Sequence, residues 1–271
     1  MDQSGKAQVF RALHERHKLF VIPNPWDGAS AKLLAAQGFE ALTTTSAGLA
    51  FLFGKPDGGV TREQSLWNAK LIVDSVDLPV AADLENGFGH RPEDAAVTLR
   101  QAAAVGLVGG SIEDATGDAA SPIYDFNLAV ERVAAAAEAA HALGFPFTFV
   151  GRAENYLHGR PDLDDTIRRL QAFEAAGADV LFAPGLPNLE AIRTVVQSVS
   201  KPVNVVRGGP GPSLAELEAA GVRRVSLGGS LARAAYTALK EAGEELLGTG
   251  TFGFADGIVS TGYLRDLMRK S

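Results

Sequence analysis

The sequence predicts an α/β protein folded as a (β/α)8, or TIM, barrel. Eight short apolar segments rich in β-branched residues recur along the 271 residues, with helical patterns between them. Many of the helical segments end at a glycine that leads into the next strand within a few residues. No Gly-x-Gly-x-x-Gly follows the first strand, which counts against a dinucleotide-binding open sheet. Eight strand–helix units with short returns therefore favour a closed barrel.

The predicted strands are the apolar segments themselves. Continuous apolar runs, rather than alternating ones, are typical of parallel strands that are buried on both faces. In chain order the eight predicted strands cover residues 18–24, 41–46, 79–84, 110–114, 147–152, 180–184, 202–206 and 224–228.

The segments between the strands have helix start and stop signals. Asp27 is placed to cap one helix, Thr61 opens another, and Pro92 suits the first turn of a third. Further helices are predicted over residues 128–143, 165–176, 188–199 and 213–220. The phrase Ala-Gly, or a close variant, recurs at helix ends, at glycines 38, 106, 177 and 221.

The chain beyond the last strand is long enough for two more helices, at 231–247 and 256–268. One of them completes the barrel. The other is additional and could pack on a neighbouring subunit. No linker-like segment interrupts the pattern, so residues 1–271 are predicted to form one domain.

Composition limits the classes of function. Hydrophobic residues make up 46% and charged residues 21% of the chain, which is ordinary for a globular protein. The net charge of −7 argues against nucleic acid or an anionic membrane as the main partner. The absence of cysteine excludes disulfides, thiolate metal sites and a cysteine nucleophile. The first six residues lack signal-peptide features and no apolar run is long enough to span a membrane, so a cytoplasmic protein is predicted.

The stretch from Pro79 to Gly89 is the most informative in the chain, because it carries two acids, Asp83 and Glu85, after an apolar run. Residues two apart on a strand point the same way, so both carboxylates would enter one space. Converging carboxylates need a positive partner, and a hard divalent cation such as Mg²⁺ supplies one. An acidic loop that simply reaches solvent is the alternative.

Other polar residues stand at predicted strand ends, where the active site of this fold gathers. Backbone amides and a hydroxyl after the second strand, at Thr45–Gly48, could hold a carboxylate. Arg152 is a buried guanidinium that requires acidic partners or an anionic ligand. The ends of the strands together supply Asn24, Trp26, Asp27, Asp57, Asp83, Glu85, Glu113, Asp114, Arg152, Glu154, Asn204 and Arg207. Taken alone, Asp57 and Asp114 are more often helix caps or surface charges.

At this point the chain resembles the isocitrate lyase/phosphoenolpyruvate mutase superfamily over nearly its whole length. The segments that carry the resemblance are Leu19–Asp27, Thr43–Leu49, Lys55–Gly58, Asp83–Gly89, Ser111–Asp114, Gly151–Ala153 and Ala176–Asp179. The resemblance implies an enzyme dependent on Mg²⁺, or alternatively Mn²⁺, that acts on a small 2-oxo carboxylate through an enolate-like intermediate. It also implies tetramers in which a C-terminal helix is swapped between subunits.

The resemblance assigns roles to individual residues. The implied metal residues are Asp83, Glu85 and Glu113, acting partly through water. It also implies that Ser46, Ala47 and Gly48 hold the substrate carboxylate, with Arg152 on its oxo or carboxylate oxygens. We add Thr45, Asp83 and Asn204 as predicted substrate-binding residues, and we predict that Arg152, Asp57, Glu113 and Tyr124 are catalytic.

The loop after the fourth strand departs from the superfamily's lyase branch. Residues 115–125 contain no cysteine, lysine or histidine, whereas that branch uses a loop cysteine as its acid or base. The polar or basic residues of the mutase branch are also not apparent there. After the sixth strand Ala183-Pro184-Gly185 replaces a lyase glutamate, and the second acid of the metal pair is Glu85 rather than aspartate. The chain therefore resembles the mutase-like branch and lacks the lyase loop.

The prediction that follows is a Mg²⁺-dependent carbon–carbon lyase, in the manner of oxaloacetate decarboxylation or retro-aldol or retro-Claisen cleavage. The alternatives are phosphoenolpyruvate mutase or phosphonopyruvate hydrolase chemistry at a P–C bond, a 2-oxo acid-binding protein without catalysis, and an unrelated phosphate-binding barrel. Tyr124, Asp118 and His158 are the alternatives for a proton donor. His90 is interpreted as a residue at a helix N-terminus rather than a ligand.

Overall fold

The computed structural model describes residues 1–269, in which eight parallel strands form a nearly closed barrel surrounded by helices. The (β/α)8 fold predicted from the sequence is confirmed. The strands are β1 Phe20–Ile22, β2 Leu42–Thr43, β3 Val80–Asp83, β4 Gly109–Glu113, β5 Thr148–Arg152, β6 Val180–Phe182, β7 Val203–Val206 and β8 Arg224–Ser226.

Each strand pairs with its neighbours in the order β1-β8-β7-β6-β5-β4-β3-β2. Within the described part of the chain no ladder joins β1 to β2, although the backbone N–H of Thr43 donates to the carbonyl of Pro23 at 3.1 Å. Asn24 connects the ends of β1, β2 and β8 at this gap between β1 and β2. Its amide donates to the Thr44 carbonyl at 2.8 Å, and its oxygen accepts from the backbone N–H of Leu227 at 2.8 Å.

Eleven α-helices occur among the described residues. They are α1 Gln3–Glu15, α2 Gly28–Ala36, α3 Ser46–Leu52, α4 Arg62–Ser75, α5 Pro92–Ala104, α6 Phe126–His141, α7 Leu163–Ala175, α8 Leu189–Ser198, α9 Leu214–Ala219, α10 Ser230–Gly248 and α11 Thr261–Arg269. The predicted caps are present: Asp27 accepts from the backbone N–H of Ser30 at 2.7 Å, and Thr61 forms a capping box with Gln64. The glycines that end helices at 38, 106, 177 and 221 have φ between +91° and +105°, the region that glycine enters at little cost.

Helix α1 closes the N-terminal end of the barrel and was not among the predicted helices. Phe10 of α1 is fully buried in a cluster with Phe20, Ala81 and Val108, which stand near the starts of their strands. Helix α3 was likewise not among the predicted helices; its first residues were predicted only as a carboxylate-binding segment after the second strand. Both helices shape the barrel ends, α1 below the core and α3 beside the mouth.

The two predicted C-terminal helices exist as α10 and α11, and a short 3-10 helix lies between them at Gly253–Ala255. Helix α11 packs on α2: Leu267 is buried, and Lys32 donates to the carbonyl of Met268 at 2.9 Å. Helix α10 leaves the barrel after its first turn, since only Ala232 along it is buried in the described residues. No helix in residues 1–269 is long and apolar enough to cross a membrane.

Candidate active site

A cavity of about 970 Å³ opens at the C-terminal ends of the strands, where the sequence placed the site. A smaller cavity of about 180 Å³ continues from it into the barrel interior. The two share Ser46, Asp57 and Arg152 in their walls. Between them they bring together most of the predicted site residues: Thr45, Ser46, Ala47, Asp57, Asp83, Glu85, Glu113 and Arg152.

Arg152, the last residue of β5, is the centre of the charge cluster. Its Nη1 lies 3.2 Å from Oε2 of Glu113 and 3.5 Å from Oδ2 of Asp83, and its Nε lies 2.5 Å from Oε1 of Glu154. The guanidinium also lies 5.0 Å from the centre of the Phe182 ring. Burial acts to lower the pKa of Arg152, but Glu113, Glu154 and Asp83 outweigh it, so the pKa is raised. Arg152 is therefore a permanent cation at the base of the cavity.

The position of Glu85 differs from the predicted one. Strand β3 ends at Asp83, and Glu85 follows in the left-handed region with φ +49°, so strand alternation does not place its carboxylate. Phe88 is left-handed as well, with φ +57°. A non-glycine residue in this region costs of order 1 kcal/mol or more, and such strain persists where surrounding contacts fix the backbone.

Contacts from three helices fix this strained loop by its carbonyl groups. Arg62 of α4 donates to the carbonyl of Gly87 at 3.2 Å. Thr98 of α5 donates to the same carbonyl at 2.7 Å. Arg132 of α6, which is almost fully buried, donates to the carbonyl of Asn86. These three contacts fix the conformation of the loop, which places Glu85 in the cavity wall.

The acids of the cluster carry more negative charge than Arg152 balances. Burial, followed by repulsion from Asp83 and Asp57, raises the pKa of Glu85 to about 8. Burial outweighs Arg152 and raises the pKa of Glu113 well above its usual range. Oε1 of Glu85 is buried and has no hydrogen-bond partner among the described residues. An unsatisfied buried carboxyl oxygen of this kind is costly unless a donor or a cation lies beside it.

The donor set fits a hydrated cation better than a closed protein cage. Within residues 1–269 no three histidine or acidic side chains are grouped closely enough to enclose a metal ion, and Nη1 of Arg152 contacts both Asp83 and Glu113. Mg²⁺ keeps several waters and commonly takes only one or two carboxylates, so this arrangement suits it. Asp83, Glu85 and Glu113 are the residues that would hold it.

The predicted carboxylate cradle at residues 45–48 is the start of helix α3. Thr45 caps this helix, and its hydroxyl accepts from the backbone N–H of Gly48 at 3.3 Å. The backbone N–H of Ser46 reaches Oδ2 of Asp83 only at 3.5 Å. Gly48 lies in neither cavity wall, and a Cβ there would stand 2.7 Å from the Thr45 methyl group. The amides of Ser46 and Ala47 therefore remain for a ligand, whereas that of Gly48 serves the cap.

Two further predicted site residues lie behind the cavity wall. Asn204 donates to the Ser226 hydroxyl at 3.0 Å and accepts from Nε of Arg224 at 2.9 Å, so its side chain is occupied. Tyr124 is buried, and its hydroxyl lies 2.8 Å from Nδ1 of His90. Their predicted roles in binding and proton donation stay predictions.

Asp57 and Asp114 have different surroundings. Asp57 is exposed at the mouth of the cavity. Partial desolvation raises its pKa, and a hydrogen bond from Ser46 acts in the opposite direction. Asp114 is buried and pairs with Nη1 of Arg169 at 3.0 Å while accepting from the backbone N–H of Glu154 at 2.7 Å. Burial raises the pKa of Asp114 to about 6, with Arg169 opposing. Asp114 thus supports the β5 loop rather than facing the cavity.

Arg62 and His90 line the cavity and were not predicted as site residues. Arg62 opens helix α4 and His90 precedes α5. Their spacing in the sequence carries no signal for this, because the packing of the helices decides which way the first turn of each helix faces.

Comparison with known proteins gives consistent results. The sequence profile of the family described as phosphoenolpyruvate phosphomutase matches residues 10–247. A Burkholderia cenocepacia J2315 structure, provisionally described as a lyase/mutase, is 54% identical, covers 98% of this chain and 96% of its own, and has a TM-score of 0.96. The 2,3-dimethylmalate lyase of Eubacterium barkeri is 27% identical over 223 residues, covering 79% of this chain and 77% of its own.

A solved structure of oxaloacetate acetylhydrolase in complex with the inhibitor 3,3-difluorooxalacetate is also similar. It is 26% identical, has a TM-score of 0.87, and the match covers 98% of this chain and 94% of that one. The likeness therefore extends over the complete barrel.

Proposed function

The chain belongs to the phosphoenolpyruvate phosphomutase family, within a superfamily of lyases and mutases, and on this premise we propose that it is a Mg²⁺-dependent carbon–carbon lyase. Its proposed substrate is a small 2-oxo carboxylate, cleaved as in oxaloacetate decarboxylation or a retro-aldol or retro-Claisen reaction. The observation that carries this proposal is Arg152 held between carboxylates, beside the buried and unsatisfied oxygen of Glu85.

The residues of the site have separable tasks in this proposal. Arg152 binds a carboxylate or the 2-oxo oxygen of the substrate through its charged donors. The backbone amides of Ser46 and Ala47 orient the substrate carboxylate. Mg²⁺ bound near Asp83, Glu85 and Glu113 would supply a Lewis acid that favours enolate formation.

The nature of two similar proteins supports a carbon–carbon bond as the target. The 2,3-dimethylmalate lyase is by its name a lyase of a substituted malate. The oxaloacetate acetylhydrolase was solved with a difluorinated oxaloacetate, a 2-oxo diacid. We infer that a substrate with a 2-oxo acid and a second carboxylate suits this cavity.

A substrate screen tests the proposal. Oxaloacetate, substituted 2-oxo diacids and phosphonopyruvate are incubated with the protein and Mg²⁺, and released pyruvate or oxalate is measured. We expect turnover of a 2-oxo diacid that EDTA and Asp83→Ala each abolish. Absence of turnover on every 2-oxo acid in the panel would refute the proposal.

P–C bond chemistry is the second candidate, because the matching family is described as phosphoenolpyruvate phosphomutase. Release of phosphate or formation of phosphoenolpyruvate from phosphonopyruvate, with no cleavage of 2-oxo diacids, would favour it.

A 2-oxo acid-binding protein without catalysis is the third candidate function. The loop part of the cavity wall supports it, because Ala115, Thr116 and Gly117 carry no acidic or basic side chain that could act as a catalyst. Binding of pyruvate without turnover would favour this reading.

We also propose that the protein is a homo-oligomer, a dimer or tetramer, with a C-terminal helix exchanged between subunits around single-domain barrels. Helix α10 supports this, because Tyr236, Leu239, Leu246 and Leu247 are exposed along it. A contiguous apolar helix face of this kind is typical of a surface that another subunit covers.

A further inference from the structure

The loop after β5 brings a histidine into the wall of the cavity that Glu85 and Glu113 also line. His158 lines the cavity, and its Nε2 lies 3.5 Å from Oε2 of Glu154. The other oxygen of Glu154 accepts from Nε of Arg152 at 2.5 Å. We propose that His158 is the proton donor to the enolate, a proposal that rests on the function proposed above.

The buried carboxylate of Glu154 makes His158 suitable for this task. Only 3% of the Glu154 side chain is exposed, and the carboxylate is shared between the guanidinium and the imidazole. The hydrogen bond with Glu154 is the largest effect on the ring and raises the pKa of His158. Asp114 adds to it, while burial and Arg152 oppose it. The ring therefore holds a proton near neutral pH more readily than a free imidazole does.

The geometry leaves one ring nitrogen free for a substrate. Nε2 of His158 faces Glu154, and Nδ1 makes no hydrogen bond with any of residues 1–269. About a third of the side chain is exposed, and the residue lines the cavity. An imidazole with a carboxylate at one ring nitrogen and no partner at the other has the arrangement of an acid–base histidine that a third group orients.

The other candidate donors are less well placed. Tyr124 is buried behind His90, and Asp118 is exposed on its loop, where Oδ1 accepts from the backbone N–H of Ala120 at 2.9 Å. His90 lines the cavity, but its ring pairs with the Tyr124 hydroxyl and not with a carboxylate. Arginines in the wall cannot release a proton in this pH range. His158 is therefore the best-placed proton donor among these residues, and it takes the catalytic role that residues 115–125 do not fill.

With oxaloacetate as the substrate, the step runs from cleavage of a C–C bond to formation of a C–H bond. Breaking the C3–C4 bond releases CO₂ and leaves its electron pair in the enolate of pyruvate. That enolate takes the proton from Nδ1 of His158 at C3, so that a C–H bond forms and the carbonyl returns. The neutral imidazole then regains a proton from water.

The reverse of this step gives a test that does not depend on bond cleavage. With Mg²⁺ and pyruvate in D₂O, the wild-type protein should exchange the methyl protons, as observed by ¹H NMR. Both this exchange and oxaloacetate turnover should fall by roughly 10²-fold or more in His158→Gln, with KM changed less than about threefold. The alkaline limb of the kcat–pH profile should disappear in this variant, because activity in the wild type is lost as pH rises through the pKa of His158.

Two further variants separate catalysis from structure. His141→Gln is the matched control, since His141 is half-exposed and pairs with Asp179 at 3.2 Å away from the cavity; it should keep both activities. Glu154→Gln keeps the imidazole but removes its carboxylate, so the alkaline limb should move to lower pH. A melting temperature and circular dichroism spectrum like the wild type verify the fold of each variant.

The outcomes distinguish this inference from the proposed function. If the wild type cleaves a 2-oxo acid and His158→Gln, or His158→Asn where the first variant does not fold, keeps a third or more of both activities, His158 is not the donor. If the wild type neither cleaves 2-oxo acids nor exchanges pyruvate, the proposed function itself fails.

Discussion

The ion pair between Arg169 of α7 and Asp114 at the end of β4 connects the stability of the barrel with the shape of its site. Nη1 of Arg169 lies 3.0 Å from Oδ2 of Asp114 and 3.1 Å from the Tyr124 carbonyl. The two side chains are 6% and 1% exposed. Oδ1 of Asp114 also accepts the backbone N–H of Glu154, so the pair supports the loop that carries Glu154 and His158.

We expect Arg169→Met to lower the free energy of unfolding by about 3–5 kcal/mol. Methionine fills much of the same volume, but Asp114 is left as a buried charge without its cation, which is the costly way to break such a pair. The melting temperature should fall by roughly 10 °C for a chain of this size. Urea unfolding followed by far-UV circular dichroism measures the change.

The loss should be larger at pH 8 than at pH 5. The pKa of Asp114 is already raised from 3.8 to about 6 in the folded protein, and removing Arg169 raises it further. A carboxyl group with a raised folded pKa contributes stability below its unfolded pKa and loses it as pH rises through the folded pKa. Each further unit of increase is worth about 1.4 kcal/mol, so the two pH values should differ by at least about 1 kcal/mol.

Arg168→Met is the matched control for this experiment. Arg168 is the adjacent residue, is 62% exposed and pairs with Asp165 at 2.5 Å on the surface. An exposed pair contributes about 0–1 kcal/mol, so the control should remain close to the wild type at both pH values. The double variant Arg169→Met with Asp114→Asn should recover part of the loss. A change below about 1 kcal/mol in Arg169→Met, or the same loss at pH 5 and pH 8, would refute the reasoning.

Three further predictions concern the metal, the packing of α3 and the assembly. Mg²⁺ at about 100 times its Kd should raise the stability of the wild type by about 2.7 kcal/mol in thermal unfolding, and Asp83→Ala should remove this increase; an equal increase in the variant would place the cation elsewhere. Gly48→Ala should cost about 1–3 kcal/mol because the new methyl group overlaps its neighbours, whereas Gly144→Ala, which has open space and no positive φ, should gain up to about 1 kcal/mol. Leu239→Glu with Leu247→Glu should convert an oligomer into monomers in light scattering, and a wild-type monomer at micromolar concentration would contradict the exchange of a helix.

The barrel could be predicted because its signals are local. Each strand is a short apolar segment, and glycines such as Gly106 and Gly177 end helices with the positive φ that their position requires. The cap at Asp27 follows from the same local chemistry. Helix α1 also has a local cap, since Asp2 accepts from the backbone N–H of Gly5 at 2.8 Å, but its position over the N-terminal end of the barrel, where Phe10 is buried, is set by packing.

The acids of the candidate site could be predicted for a similar reason, but not their exact arrangement. Asp83, Glu113 and Arg152 end their strands, and in a parallel barrel all strand ends meet at one rim. Glu85 reaches the same space by a different backbone path, because contacts from Arg62 and other helical residues hold its loop in a left-handed conformation. Strand alternation could not anticipate that path.

The sequence by itself determined the fold class, the family resemblance, and the end of the barrel where polar residues gather. These follow from periodicity, helix caps and residue order along the chain. Only the tertiary structure decided that Asn204 and Tyr124 lie behind the wall, and that His158 faces the cavity with Glu154 behind it. These last features depend on distances of a few ångströms between residues far apart in the chain, which packing sets and no local pattern encodes.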